Sequence, residues 1–185
     1  IEADTEDLVD FIGPPLLESF QKYYHLDDEQ GHMALKKYRE RFSDIGIFEN
    51  GVYPGIAELL STLKAQGRGI ALATSKPGVY AKRILERYEL LPYFDVVVGS
   101  ELDGRRTDKG EVITEALRQL KIREKQKPEV LMIGDRLHDM MGAGKNQIDK
   151  LGVYYGYAHH GELESAGADY IVHTVDELTA FFEAH

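Results

Sequence analysis

The stretch Val130–Gly142, VLMIGDRLHDMMG, decides the fold. Val130, Leu131, Met132 and Ile133 form a short apolar run of the kind a buried strand uses, and Gly134 supplies the turn that ends it. Asp135 and Asp139 follow, one helical turn apart, where the apolar run gives way. Such a position is the carboxyl edge of a sheet, where open α/β folds keep their ligands.

Working outward, strand and helix patterns alternate. Ile56, Leu59, Leu60 and Leu63 mark a helix closed by Gly67, ahead of a strand at 70–73. Val79, Ile84, Leu85 and Tyr88 mark the next helix, followed by a strand at 94–98. Val112, Ile113, Ala116, Leu117 and Leu120 lead to the strand at 130–133. Beyond Asp135 come a helix, strands at 151–155 and 170–172, and a last helix opened by Thr174 and Glu177 as a capping box. Five strands alternating with helices, several of them continuous apolar runs, predict an α/β fold. The expected form is a Rossmann-like, mostly parallel sheet with helices on both faces.

Residues 1–50 have a different texture, helical with no strand. Leu8, Phe11 and Ile12 share a face, Gly13-Pro14-Pro15 breaks the chain, and Leu16, Leu17 and Phe20 resume the stripe. A further helix starts at Asp27 with Gln30 completing a capping box, and carries Met33, Leu35, Tyr38 and Phe42. The expected division is a helical lobe at 1–50 and an α/β core at 51–185, joined by a hinge at Asn50–Gly55.

Composition narrows the function classes. The 185 residues are 43% hydrophobic and include no cysteine, which excludes disulfides and thiolate chemistry. No apolar run approaches the roughly 18 residues of a membrane span. A net charge of -10 argues against a nucleic-acid backbone as partner, but leaves small phosphorylated ligands open. A cytoplasmic enzyme is the expectation.

Three strand ends carry polar groups: Thr74-Ser75-Lys76 after 70–73, the loop with Arg105, Arg106, Thr107 and Lys109 after 94–98, and Asp135 after 130–133. Taken singly, each has an ordinary structural explanation. Thr74 could cap a helix, Lys109 could be a solvated loop cation, and the two acids could face a helix dipole. Together they suit a phosphoryl group: a hydroxyl for its oxygens, an ammonium for its charge, and a carboxylate for Mg²⁺. Two other patterns fall away. Gly142-Ala143-Gly144-Lys145 lacks the glycine a phosphate loop needs five residues before Gly144, so a small-residue helix packing closely on the sheet is expected instead. His159-His160 has no third ligand at useful spacing.

With these residues in place, the chain resembles the haloacid dehalogenase superfamily, on its phosphatase branch, closest to phosphoglycolate phosphatase-like enzymes with a helical cap. IALATSKP at 70–77 is similar to the second motif, Lys109 in DGRRTDKGEVI to the third, and MIGDRLHD at 132–139 to the fourth. The resemblance implies a Mg²⁺-dependent phosphomonoesterase acting on a small phosphorylated metabolite, phosphoglycolate-like or a nucleotide, through an aspartyl-phosphate. It implies Thr74 and Lys109 as catalytic, with Ser75 joining them in phosphate binding. Asp135 would bind Mg²⁺, and Asp139 would reach the metal through water or hold Lys109. Cap residues such as Gly13–Leu16 would shape selectivity.

The family's first motif, an Asp-x-Asp strand end before the cap, has no counterpart: Asp4 and Asp7 adjoin no apolar strand, and Asp27-Asp28 lies in the helical lobe. The expectation is therefore an upstream strand that carries the nucleophile and sits between 70–73 and 130–133. Without it, two strand edges would be left open and the segment would not fold stably alone. A phosphoacceptor signalling domain, or a non-catalytic relative that only binds ligand or partner, are the competing functions.

Overall fold

The computed structural model describes residues 5–185, with side chains from residue 8 onward; Asp4 lies outside the described residues. Two compact units part between Gly51 and Val52.

The first unit is helical. A 3-10 helix at Thr5–Phe11 precedes α1 (Leu16–Tyr24) and α2 (Asp28–Phe42), with a short 3-10 turn at Gly46–Phe48. Pro15 occupies the cap position before α1, and His25 ends that helix with a φ of 53°. Asp27 caps α2 as its sequence suggests: the Gln30 N–H donates to Asp27 Oδ1 (2.9 Å) and the Asp27 N–H to Gln30 Oε1 (3.2 Å). The Phe11 ring lies 5.8, 5.2 and 5.6 Å from those of Phe20, Tyr23 and Tyr24, joining the 3-10 helix to α1 through aromatic contact.

The second unit runs α3 (Ile56–Ala65), β1 (Ala71–Pro77), α4 (Gly78–Arg87), β2 (Val96–Ser100), α5 (Lys109–Gln119), β3 (Leu131–Gly134), α6 (Leu137–Asn146), β4 (Asp149–Val153), α7 (Glu162–Ser165), β5 (Tyr170–Val172) and α8 (Val175–Ala184). Every strand pairing is parallel. Among the described residues, no helix is long and apolar enough to cross a membrane.

The single sheet expected from the sequence is two ladders, β1–β2 and β3–β4–β5, and among the described residues none joins β1 to β3. Both ladders nonetheless belong to one layer. Ile70, Leu131 and Ile133 pack on a cluster that includes Leu59, Leu63, Leu151 and Leu178, with α3 and α8 on that side. Ala73, Val130 and Met132 pack on Ile113, Leu117, Ala143 and Ile148, with α5 and α6 on the other. Helices therefore cover both faces. All seven residues of β1 and all four of β3 are only half-buried, whereas Val96, Val98, Leu151 and Val153 of β2 and β4 are buried. Central strands of a continuous sheet would be the most enclosed. Here they are the open edges.

The limits of β1–β4 shift by one to four residues from the sequence expectation, while β5 falls at 170–172 as expected. β2 starts at Val96 rather than Phe94 because Asp95 is used as a clasp, accepting from the Ile70 N–H (2.9 Å) and pairing with Lys64 (2.7 Å). β4 starts at Asp149, whose N–H donates to the Val130 carbonyl (3.2 Å), and ends before Tyr154 and Tyr155. The α8 capping box is half formed. Thr174 accepts from the Glu177 N–H (3.1 Å), but Glu177 accepts from His173 instead of Thr174. The small-residue segment of α6 packs on the sheet through Ala143, as expected, and is also tight against α5. A Cβ on Gly142 would lie 2.9 Å from Lys109 Cγ and 3.0 Å from the Gly110 nitrogen. Asn146 seals that contact by donating to the Gly110 and Gly142 carbonyls (2.9 Å each) and accepting from the Thr114 hydroxyl (2.8 Å).

Candidate active site

The carboxyl edge of the layer is built from three strand ends. β1 keeps regular register with β2 through Thr74, opposite Gly99, and then slips before Pro77 meets Ser100. Gly99 is required there: a Cβ would fall 2.3 Å from the Lys76 carbonyl oxygen. The Thr74 hydroxyl accepts from the Lys76 N–H (3.1 Å), and the Ser100 hydroxyl donates to the Ser75 carbonyl (2.8 Å). The Ser75 hydroxyl is buried with no hydrogen-bond partner among the described residues.

Lys109 is the first residue of α5, not a loop residue, with Asp108 as the cap that accepts from the Glu111 N–H (3.2 Å). Its ammonium crosses the open edge, donating to the Ala73 carbonyl of β1 (3.1 Å) and pairing with Asp139 Oδ1 of α6 (2.8 Å). The two side chains are only 11% and 8% exposed, so this is a buried ion pair.

Asp139 is fully engaged. Its Oδ2 accepts from the Asp135 and Arg136 N–H groups, 3.1 Å each, and so caps the exposed donors at the start of α6. Gly134 makes room for this: a Cβ there would lie 2.2 Å from that of Asp139.

Asp135 differs. Tyr157 donates its N–H to Oδ2 (3.0 Å), and among the described residues no lysine or arginine forms an ion pair with it. Burial pushes the Asp135 carboxyl above the usual range, and the Asp139 charge adds to this, against the Tyr157 hydrogen bond. The Arg136 charge favours the ionised form without pairing with it directly, and a half-buried carboxylate of this kind suits a divalent metal, since hard oxygen is the donor Mg²⁺ takes. The residues present fit that ion. Among the described residues no three His, Cys, Asp or Glu side chains form a metal cluster.

The structure thus brings Lys109, Asp135 and Asp139 together beside the carbonyl preceding Thr74. Other candidates go elsewhere. Arg105 pairs with Asp103 and Arg106 with Glu101. Lys145 pairs with Asp108 (2.8 Å). His159 turns its N–H to Glu162 (3.0 Å).

Sequence reasoning missed Glu162 and the tyrosines at the β4 end. Glu162 accepts from Arg136 Nε (2.9 Å), the Leu137 N–H (2.7 Å) and the His159 N–H, bracing the first turn of α6 from outside. Nothing local in the sequence marks it. Tyr155-Gly156-Tyr157 follows a strand end, which was the available signal. Burial raises the Glu162 carboxyl, but the two N–H groups and the Arg136 guanidinium outweigh it and hold its pKa below the ordinary glutamate value. A depressed carboxyl pKa contributes stability that is present above the unfolded value and lost as pH falls through the folded one. Glu162→Gln should therefore destabilise the protein at pH 7, with the difference from wild type shrinking below about pH 4. Urea midpoints measured across that range check it, and a pH-independent difference would contradict it.

A parallel α/β layer presenting a hydroxyl, a buried lysine and two carboxylates at one edge defines an enzyme class that handles an anionic, oxygen-rich group. The chain belongs to the haloacid dehalogenase-like hydrolases, whose profile matches residues 1–153. It is 39% identical to a 5'-nucleotidase of Pseudomonas aeruginosa over 184 residues, covering 100% of this chain and 82% of that protein. The fold matches a predicted phosphatase from Clostridium acetobutylicum with a TM-score of 0.94 and 45% identity, covering 100% of this chain and 84% of that one. It also matches Protein Tyrosine Kinase A of Mycobacterium tuberculosis with a TM-score of 0.79 and 31% identity, over 98% of this chain and 82% of the solved one. The chain spans 56% of the full kinase sequence.

Proposed function

We propose that the protein is a Mg²⁺-dependent phosphomonoester hydrolase of the cytoplasm, acting on a small phosphorylated metabolite through an aspartyl-phosphate, with residues 1–50 as its helical cap and 51–185 as its core. The observation that carries this is the Lys109 bridge from the end of β1 to Asp139, beside a metal-suited Asp135.

Asp135 would hold Mg²⁺, which when bound neutralises phosphate oxygens. Asp139, with both oxygens already bonded, acts by fixing Lys109 and the α6 terminus. Lys109 balances the phosphoryl charge, and Thr74 and Ser75 supply hydroxyl and backbone donors at the same edge. An ionised Asp then attacks phosphorus, its oxygen–phosphorus bond forming as the ester oxygen leaves and takes a proton; water hydrolyses the acyl phosphate.

The open edges of β1 and β3 support a seat for the strand that carries this Asp. A strand between them would pair both rows of backbone groups, each of which costs on the order of 1–3 kcal/mol when buried without a partner. The experiment is acid quench of the intact polypeptide during turnover of p-nitrophenyl phosphate with Mg²⁺. A hydroxylamine-labile phosphoprotein that vanishes with excess chelator is expected. Labelling of tyrosine peptides from ATP, with no ester hydrolysis, would replace the hydrolase reading by a kinase one, which the likeness to Protein Tyrosine Kinase A favours.

A further inference from the structure

Beside Asp135, the edge is lined by tyrosine. Tyr155, Gly156 and Tyr157 leave β4 directly under the Asp135 side chain. A Cβ on Gly156 would lie 2.4 Å from both Cβ and Oδ2 of Asp135, so only glycine lets this turn approach closely enough for the Tyr157 N–H to bond the carboxylate at 3.0 Å. That contact fixes Tyr157 next to the proposed phosphate site, yet the residue is 43% exposed. Tyr53, 42% exposed, forms a T-shaped pair with Tyr155, with centroids 5.1 Å apart and planes at 69°. Tyr155 is the enclosed member, its phenol pushed up to about 12 by burial, with Tyr53 and Asp135 adding to the shift. The Tyr53 phenol is raised by burial too, then by Tyr157 and Asp135, which puts all these groups in one neighbourhood.

We propose that Tyr53 and Tyr157 form a stacking seat for a planar aromatic leaving group beside Asp135, making nucleoside 5'-monophosphates the preferred esters over small aliphatic phosphates. A ribose separates the base from its phosphate, so a phosphate at the Asp135 edge sets the base over side chains at the rim. Two exposed tyrosine rings, one backed by the half-buried Tyr155, supply rigid π-faces there. Stacking on such faces is tolerant of base identity, so the seat selects for a base without selecting which one. An aliphatic ester such as phosphoglycolate offers no ring to use them.

This inference rests on the hydrolase reading, and the experiment separates the two. The intact polypeptide with Mg²⁺ is assayed on AMP, CMP and phosphoglycolate, as wild type and as Tyr53→Ala, Tyr157→Ala, Tyr53→Phe and Tyr157→Phe. Wild type should favour both nucleotides. Each alanine variant should lower the nucleotide-to-phosphoglycolate ratio of kcat/KM about tenfold, chiefly through KM, while the phenylalanine variants keep it. A ratio unmoved by both alanine variants, with hydrolysis intact, overturns the seat and spares the hydrolase. Hydrolysis of no ester at all overturns both. Thermal melts of the variants, expected to match wild type, separate a lost seat from a lost fold.

Discussion

Asp139→Ala is expected to destabilise the protein by about 3–5 kcal/mol, the cost of stripping one partner from a buried ion pair. The loss has two sources. The Lys109 ammonium, 11% exposed, would keep its charge without the carboxylate 2.8 Å away. The Asp135 and Arg136 N–H groups at the start of α6 would also lose their shared acceptor. Against a typical total of about 5–15 kcal/mol, that is a large share of the fold. Urea denaturation of the intact polypeptide measures it. Adding Lys109→Met to Asp139→Ala should recover part of the loss by removing the unpaired charge, as a double-mutant cycle reveals. Simple additivity, or a cost under about 1 kcal/mol, would mean that the pair is not the buried link described.

Lys109→Ala is expected to lower kcat by on the order of 10²–10³-fold, the usual effect of deleting one preorganised electrostatic group. It should also cost stability, because Lys109 bridges the open edge between Ala73 and Asp139. Lys109→Arg keeps the charge but not the compact geometry, and Gly142 leaves little room beside the Lys109 stem. It should recover stability better than activity. Steady-state kinetics on p-nitrophenyl phosphate together with melting curves check this, and a variant with wild-type kcat would remove Lys109 from the mechanism.

Much of this site was legible because its signals are local. An apolar run ending in Gly134-Asp135 marks a strand end whatever else surrounds it, and the same holds for Thr74. Asp27 and Gln30 announce the start of α2 within four residues. Other features depend on partners far along the chain. From the sequence Asp139 could either reach a metal through water or hold Lys109; only the structure shows Lys109, thirty residues earlier in sequence, bonded to one oxygen and two N–H groups to the other. Glu162 reaches Arg136 across 26 positions and carries no motif. Strand limits slipped where a side chain replaced a ladder bond, as at Asp95. The split between β1 and β3 was reached only through the family resemblance, since nothing in either strand's own residues says which neighbour it lacks.

The central claim is that Asp135 holds a catalytic Mg²⁺ at this edge. Hydrolysis of p-nitrophenyl phosphate by the intact polypeptide, titrated with Mg²⁺ for wild type and Asp135→Asn, tests it most directly. Saturable Mg²⁺-dependent turnover in wild type, with kcat reduced by about 10²-fold or more and a weakened Mg²⁺ response in the variant, is the predicted result. Turnover in Asp135→Asn equal to wild type, or wild-type turnover that persists in excess chelator, would contradict it.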